Sequence, residues 1–114
     1  MIRHVVLFRF AADHDPAPRA EWEAALPSLV GAVPGLRALS HGPDLVHAGR
    51  SWDHALVADF DSLDDVAAYA EHPAHLPVIA LSARFSDEIV SVDFAVDDAG
   101  RPTADGALRT GAAA

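Results

Sequence analysis

Tyr69, His72 and His75 fall within one short stretch, YAEHPAHLPV, and two further histidines, His4 and His54, stand among apolar neighbours elsewhere in the chain. Imidazole and phenol are the side chains best suited to moving protons near neutral pH. If these groups share one space, the chemistry open to them is general acid–base catalysis. An imidazole would take a proton, and the phenol would steady the negative charge that forms. Each group also has a structural use. A strand histidine on an apolar face is ordinarily a core residue with satisfied nitrogens. His72 sits where a helix must end, and an imidazole there complements the helix dipole. Tyr69 can serve as core with its hydroxyl at the rim. Convergence separates the readings, because several polar side chains buried in one layer are costly unless they serve one another or a ligand. His14, His41 and His47 fall in loops or strand ends and receive no role.

Other chemistries find little support. His72 and His75 are three apart, but Pro73 interrupts the helix that would align them. No HExxH or carboxylate-rich cluster accompanies them, so no metal is expected. There is no glycine-rich phosphate loop and no GxSxG, and no organic cofactor is expected. Cysteine is absent, which excludes disulfides and thiolate chemistry.

Elements that position these residues follow from periodicity. IRHVVLFRF (2–10) reads as a strand with Ile2, His4, Val6, Phe8 and Phe10 on one face and Arg3, Val5, Leu7 and Arg9 on the other. Residues 18–33 place Trp22, Ala25, Leu26, Leu29 and Val33 at helical spacing, with Pro27 expected to kink or split the helix. Pro34-Gly35 ends it, and an extended piece over about 36–47 follows, interrupted by HGPD. SWDHALVADF (51–60) alternates as a strand with Trp52, His54, Leu56, Ala58 and Phe60 on one face. Ser62 reads as the N-cap of a helix carrying Leu63, Val66, Tyr69 and Ala70, which must end near His72 before Pro73. A second helical piece over about 74–84 precedes a last strand at 86–96. Residues 97–114 have small residues, charge and no apolar period, and are expected to be a disordered tail beyond a 1–96 domain.

The order β–α–β–β–α–β is that of an α+β, ferredoxin-like split βαβ unit, an antiparallel sheet with helices on one face. The first and third strands meet at the sheet centre, which puts His4 and His54 on the helix side with Tyr69. The other sheet face, carrying Val5, Leu7, Ala55, Val57, Val90 and Val92, is too apolar for water. A second copy stacking its sheet there would cover it, so a homodimer is expected. With 114 residues there is room for one domain, and the formal charge of −9 argues against nucleic acid and anionic membrane surfaces as partners. The opening MIRHVVLFRF has neither the uninterrupted apolar run nor the cleavage site of a secretory leader, and no window is long and apolar enough for a membrane span. A cytoplasmic location is expected.

MIRHVVLFRF, WDHALVADFDSLDDVAAYAEHPAH and the closing SVDF together resemble the stress-responsive A/B barrel (Dabb) domain family of the dimeric α+β barrel superfamily, over about residues 1–96. The resemblance implies the same ferredoxin-like fold and homodimer. Functions in the family are diverse. Its best-understood enzyme, a plant polyketide cyclase, closes a linear poly-β-ketone by aldol condensation and keeps the carboxyl group. The match implies a catalytic pair at Tyr69 and His75, with His4 and His54 lining the pocket and His72 in a lesser binding role. The plant enzyme has a pocket-lining tyrosine on its first helix. Here Leu26 or a neighbour takes that place, so pocket polarity or depth differs and substrate identity does not carry over. The expected function is a cofactor-independent cyclase or lyase acting on a small, mostly apolar polyketone or phenolic metabolite. The alternatives are a non-enzymatic stress-response or small-ligand-binding dimer and, by fold analogy alone, a cofactor-free oxygenase.

Overall fold

Alternation of apolar side chains builds the sheet of this computed structural model, which describes residues 1–101 and 103. β1 (Ile2–Phe10), β2 (Leu36–Pro43), β3 (His54–Phe60) and β4 (Ser86–Ala95) form one antiparallel sheet in the order β2-β3-β1-β4. The expected ferredoxin-like arrangement is therefore present, with β1 and β3 in the middle. Val6, Phe8, Leu56, Ala58 and Phe60 are buried beneath the helices with Trp22, Leu26, Leu29 and Phe85. Trp22 packs edge-on against both Phe8 and Phe85.

The helical layer is cut by its prolines. α1 (Pro16–Ala25) opens at Asp15, whose carboxylate accepts from the Ala17 N–H, and proline at the start fits because that turn has no partner for its nitrogen. Pro27 splits the segment as expected. α1 stops at Ala25, a 3₁₀ turn covers Leu26–Ser28, and a single turn, α2 (Leu29–Ala32), follows with Val30 and Gly31 outside helical geometry. α3 (Leu63–Glu71) starts on Ser62, whose hydroxyl accepts from the Asp65 N–H, and ends at His72. After the turn at 72–75, α4 (Leu76–Ala83) runs back to β4.

Several boundaries are tighter than the periodicity implies. β3 begins at His54 rather than 51, and just before it the Asp53 carboxylate accepts the Phe10 N–H. Trp52 precedes the strand and lies under the Arg9 guanidinium. β2 ends at Pro43, since Asp44 accepts the His47 N–H and closes a turn in which His47 has φ 56°. Val96 lies just past β4, with its N–H bonded to the Met1 carbonyl. Of the expected tail, residues 102 and 104–114 lie outside the described residues. Asp97 to Arg101 form a hydrogen-bonded turn, and the Gly100 carbonyl accepts from the Arg3 guanidinium. Among the described residues no helix is long and apolar enough to cross a membrane.

The outer sheet face matches the expected row. Val5 sits between Val57 and Val92, and Leu7 between Ala55 and Val90. Leu7, Val90, Val92 and Phe94 are exposed in the single chain, Val92 at 65%. The Arg3–Asp59 and Arg9–Glu88 ion pairs flank this apolar strip.

Candidate functional site

Between sheet and helices lies a cavity of about 200 Å³. Val6, Phe8 and Leu56 of the sheet and Leu26, Val78 and Ile79 of the helical layer make it apolar, and His4, Tyr69, His75, Ser82 and Ser91 add polar groups. Its volume is below the roughly 300–1,000 Å³ of sites for drug-sized ligands, so it suits a compact molecule.

The polar groups are arranged by a chain reversal. α3 ends at Glu71, His72 and Pro73 turn the backbone, and His75 folds back over Tyr69. Their rings stack 3.7 Å apart between centroids at 17°. His75 Nδ1 lies 2.9 Å from the Tyr69 carbonyl oxygen, which can only accept, so Nδ1 carries the proton and Nε2 keeps its lone pair. Burial lowers the His75 pKa below its ordinary value, with His4 and His72 adding to the effect and the bond to the Tyr69 carbonyl opposing it. The ring is therefore neutral at pH 7. Burial pushes the Tyr69 phenol up to about 12, so it remains a hydrogen-bond donor rather than a phenolate. Tyr69 also packs on Phe60 and meets His4 edge-on. His4 Nδ1 is 2.6 Å from the Asp93 carboxylate, the residue directly across the β1–β4 ladder. That bond fixes the ring and leaves Nε2 for a cavity occupant. A phenol that stays protonated, a neutral base and a carboxylate-anchored imidazole thus border one apolar space.

Four of the six expected site residues, His4, Leu26, Tyr69 and His75, line this cavity. The other two do not, which corrects the expected convergence. His72 turns its Nδ1 onto the Ala74 N–H, where it shapes the turn after α3. His54 shares the helix-side face with His4 but stands at the opposite end of β3, behind Trp22 and Phe8. It is 3% exposed, with Nε2 3.0 Å from His41 Nδ1 and Nδ1 4.0 Å from the Glu23 carboxylate. Burial lowers its pKa, helped by His41 and Arg19 and opposed by Glu23. Asp93, His41 and Glu23 carry no expected role from the sequence. Only strand register could have pointed to Asp93, and only the packing of α1 on the β2–β3 edge brings Glu23 to the two histidines.

Residues 2–96 match the model of the family described as Stress responsive A/B Barrel Domain, or Dabb. Among curated relatives, a stress-response A/B barrel domain-containing protein of Arabidopsis thaliana is 27% identical over 85% of this chain, which spans only 37% of that protein's length. Olivetolic acid cyclase of Cannabis sativa is 20% identical over 82% of this chain and 94% of its own. Among solved structures, a dimeric ferredoxin-like protein of unknown function from Thermobifida fusca superposes with a TM-score of 0.73 at 37% identity, over 83% of this chain and 90% of that one. Hydroxynitrile lyase from Passiflora edulis gives a TM-score of 0.67 at 19% identity, over 85% of this chain and 94% of that one. SnoaB, a cofactor-independent oxygenase from Streptomyces nogalater, gives 0.64 at 15%, over 85% and 93%. These last two likenesses carry the fold alone.

Proposed function

Since the chain belongs to the stress-responsive A/B barrel domain family, we propose that it is a cofactor-independent enzyme of the cyclase or lyase type, acting on a compact polyketide-like or phenolic metabolite. The observation that supports this most is the stacked Tyr69–His75 pair at an apolar cavity, with one His75 nitrogen tied to backbone and the other left basic. In the proposed cycle His75 Nε2 takes a proton from a methylene between two carbonyls. Tyr69 donates a hydrogen bond to the oxygen on which the enolate charge collects. The carbanion then attacks a carbonyl carbon further along the same chain. The alkoxide takes the proton back from His75, and loss of water follows. His4, braced by Asp93, orients a substrate oxygen.

The working unit of this proposal is a homodimer, with the Leu7–Val92 faces of two sheets stacked. The Thermobifida fusca relative is itself described as dimeric. A second reading, a dimer that binds such a molecule without turning it over, uses the same cavity and finds support in the stress-response name of the Arabidopsis thaliana relative. Turnover separates the two. A panel of linear polyketone thioesters should cyclise faster with the native chain than in buffer, and Tyr69→Phe and His75→Ala should abolish the gain with the melting curve retained. Binding of the panel without acceleration would favour the second reading.

A further inference from the structure

We infer that Glu23, His41 and His54 form a binding site for a divalent transition-metal ion of the zinc class, on the far side of Trp22 from the acid–base cavity. One potential ligand atom from each residue lies within 4.8 Å of the other two. His41 Nδ1 and His54 Nε2 are 3.0 Å apart. Two nitrogens held at roughly 2.0–2.1 Å from one ion would stand about 2.9–3.4 Å from each other, depending on the angle at the metal. The two rings are therefore already spaced as a chelating pair. The Glu23 side chain is 41% exposed, so its carboxylate can swing closer by rotamer change without disturbing the core.

Three elements supply the ligands, and their positions are set by the fold. In the β2–β3 ladder His41 faces Leu56 and Pro43 faces His54, which makes the histidines diagonal neighbours on one sheet face. α1 lays Glu23 over them, next to Trp22, whose ring is 5.1 Å from that of His54 and 5.9 Å from that of His41. A hydrogen bond between the imidazoles would explain the 3.0 Å contact but gives the carboxylate no use. The Glu23 carboxylate stands 4.0 Å from His54 Nδ1, too far for a hydrogen bond, and within 4.8 Å of a ligand atom of each histidine. Two imidazoles and one carboxylate are donors suited to zinc and its first-row neighbours, and three protein ligands leave a coordination position for water or a small anion. The nearby Arg19 guanidinium is turned to His14 and the Phe10 ring.

The test uses the full chain without an affinity tag, stripped by a chelator and titrated with zinc chloride or cobalt chloride alone. The expected result is one zinc per chain by calorimetry, a melting temperature that climbs with zinc concentration, and visible cobalt bands of a four- or five-coordinate site. His41→Ala and Glu23→Gln, both at residues that are not sealed in the core, should each weaken binding by at least about tenfold while circular dichroism stays native. His75→Ala should leave zinc affinity unchanged. Absence of zinc binding at micromolar concentration, binding that survives both substitutions, or binding lost in His75→Ala would each overturn the inference.

Discussion

His75 carries the base in the proposed chemistry, and its environment makes that role sensitive to pH in a defined direction. Burial depresses its folded-state pKa below its unfolded value. The stability it contributes is thus full above about 6.5, the ordinary histidine value, and declines as pH falls from there through the folded-state pKa. Activity follows the neutral ring, so the acid limb of a rate–pH profile should lie below about pH 6.5. His75→Ala should cost at least about 100-fold in turnover, the lower end of a general-base contribution. Tyr69→Phe keeps the stack and removes only the hydroxyl, so its melting curve should follow the native one. If these groups were merely core, the reverse pattern would appear, with unchanged chemistry and about 1–3 kcal/mol of lost stability. Tyr69 and His75 were legible because a helix, a proline and two histidines sit together in sequence. Asp93 was not. β4 and its flanks hold several acids, and only the register opposite His4 distinguishes this one. His54 shows the limit of face assignment: alternation gives the side of a sheet, not the position along a strand relative to the helices above.

The elements depend on their ends. Gly35 has φ +81°, and a Cβ placed there would come within 2.3 Å of the Asp65 side chain. That carboxylate accepts from the Ser62 hydroxyl, which caps α3, the helix that carries Tyr69. Gly35→Ala should therefore destabilise by about 1–3 kcal/mol in a urea melt, through both the left-handed backbone and the disturbed cap. A melt unchanged from native would refute that coupling. Pro27, Ser62 and Pro73 could be read from the sequence because each acts through local backbone chemistry. The starts and stops of β2 and β3 could not, because the Asp44 and Asp53 carboxylates accept from the His47 and Phe10 N–H groups, bonds that depend on the folded chain.

At the scale of the whole molecule, the outer sheet face was legible as a pattern, and strand pairing places Val5, Leu7, Val57, Val90 and Val92 in one strip. Leu7 is at its centre and 40% exposed in the single chain. Leu7→Lys would set an unpaired charge in the proposed dry interface, and it should weaken self-association by about 100-fold or more, equivalent to roughly 3 kcal/mol. Analytical ultracentrifugation would measure this. A native chain that sediments as a monomer at micromolar concentration would remove the homodimer.

The proposed chemistry rests on a neutral His75 whose Nε2 is open to the cavity and acts as the base. Ring-nitrogen NMR of His75 measures that state most directly, with an alkylphenol as the cavity probe. The expected spectrum near pH 7 is the Nδ1–H tautomer, with a titration midpoint below about 6.5 and an Nε2 resonance that moves when the phenol binds. An imidazolium at neutral pH, or a phenol that binds while the His75 nitrogens stay unmoved, would contradict it.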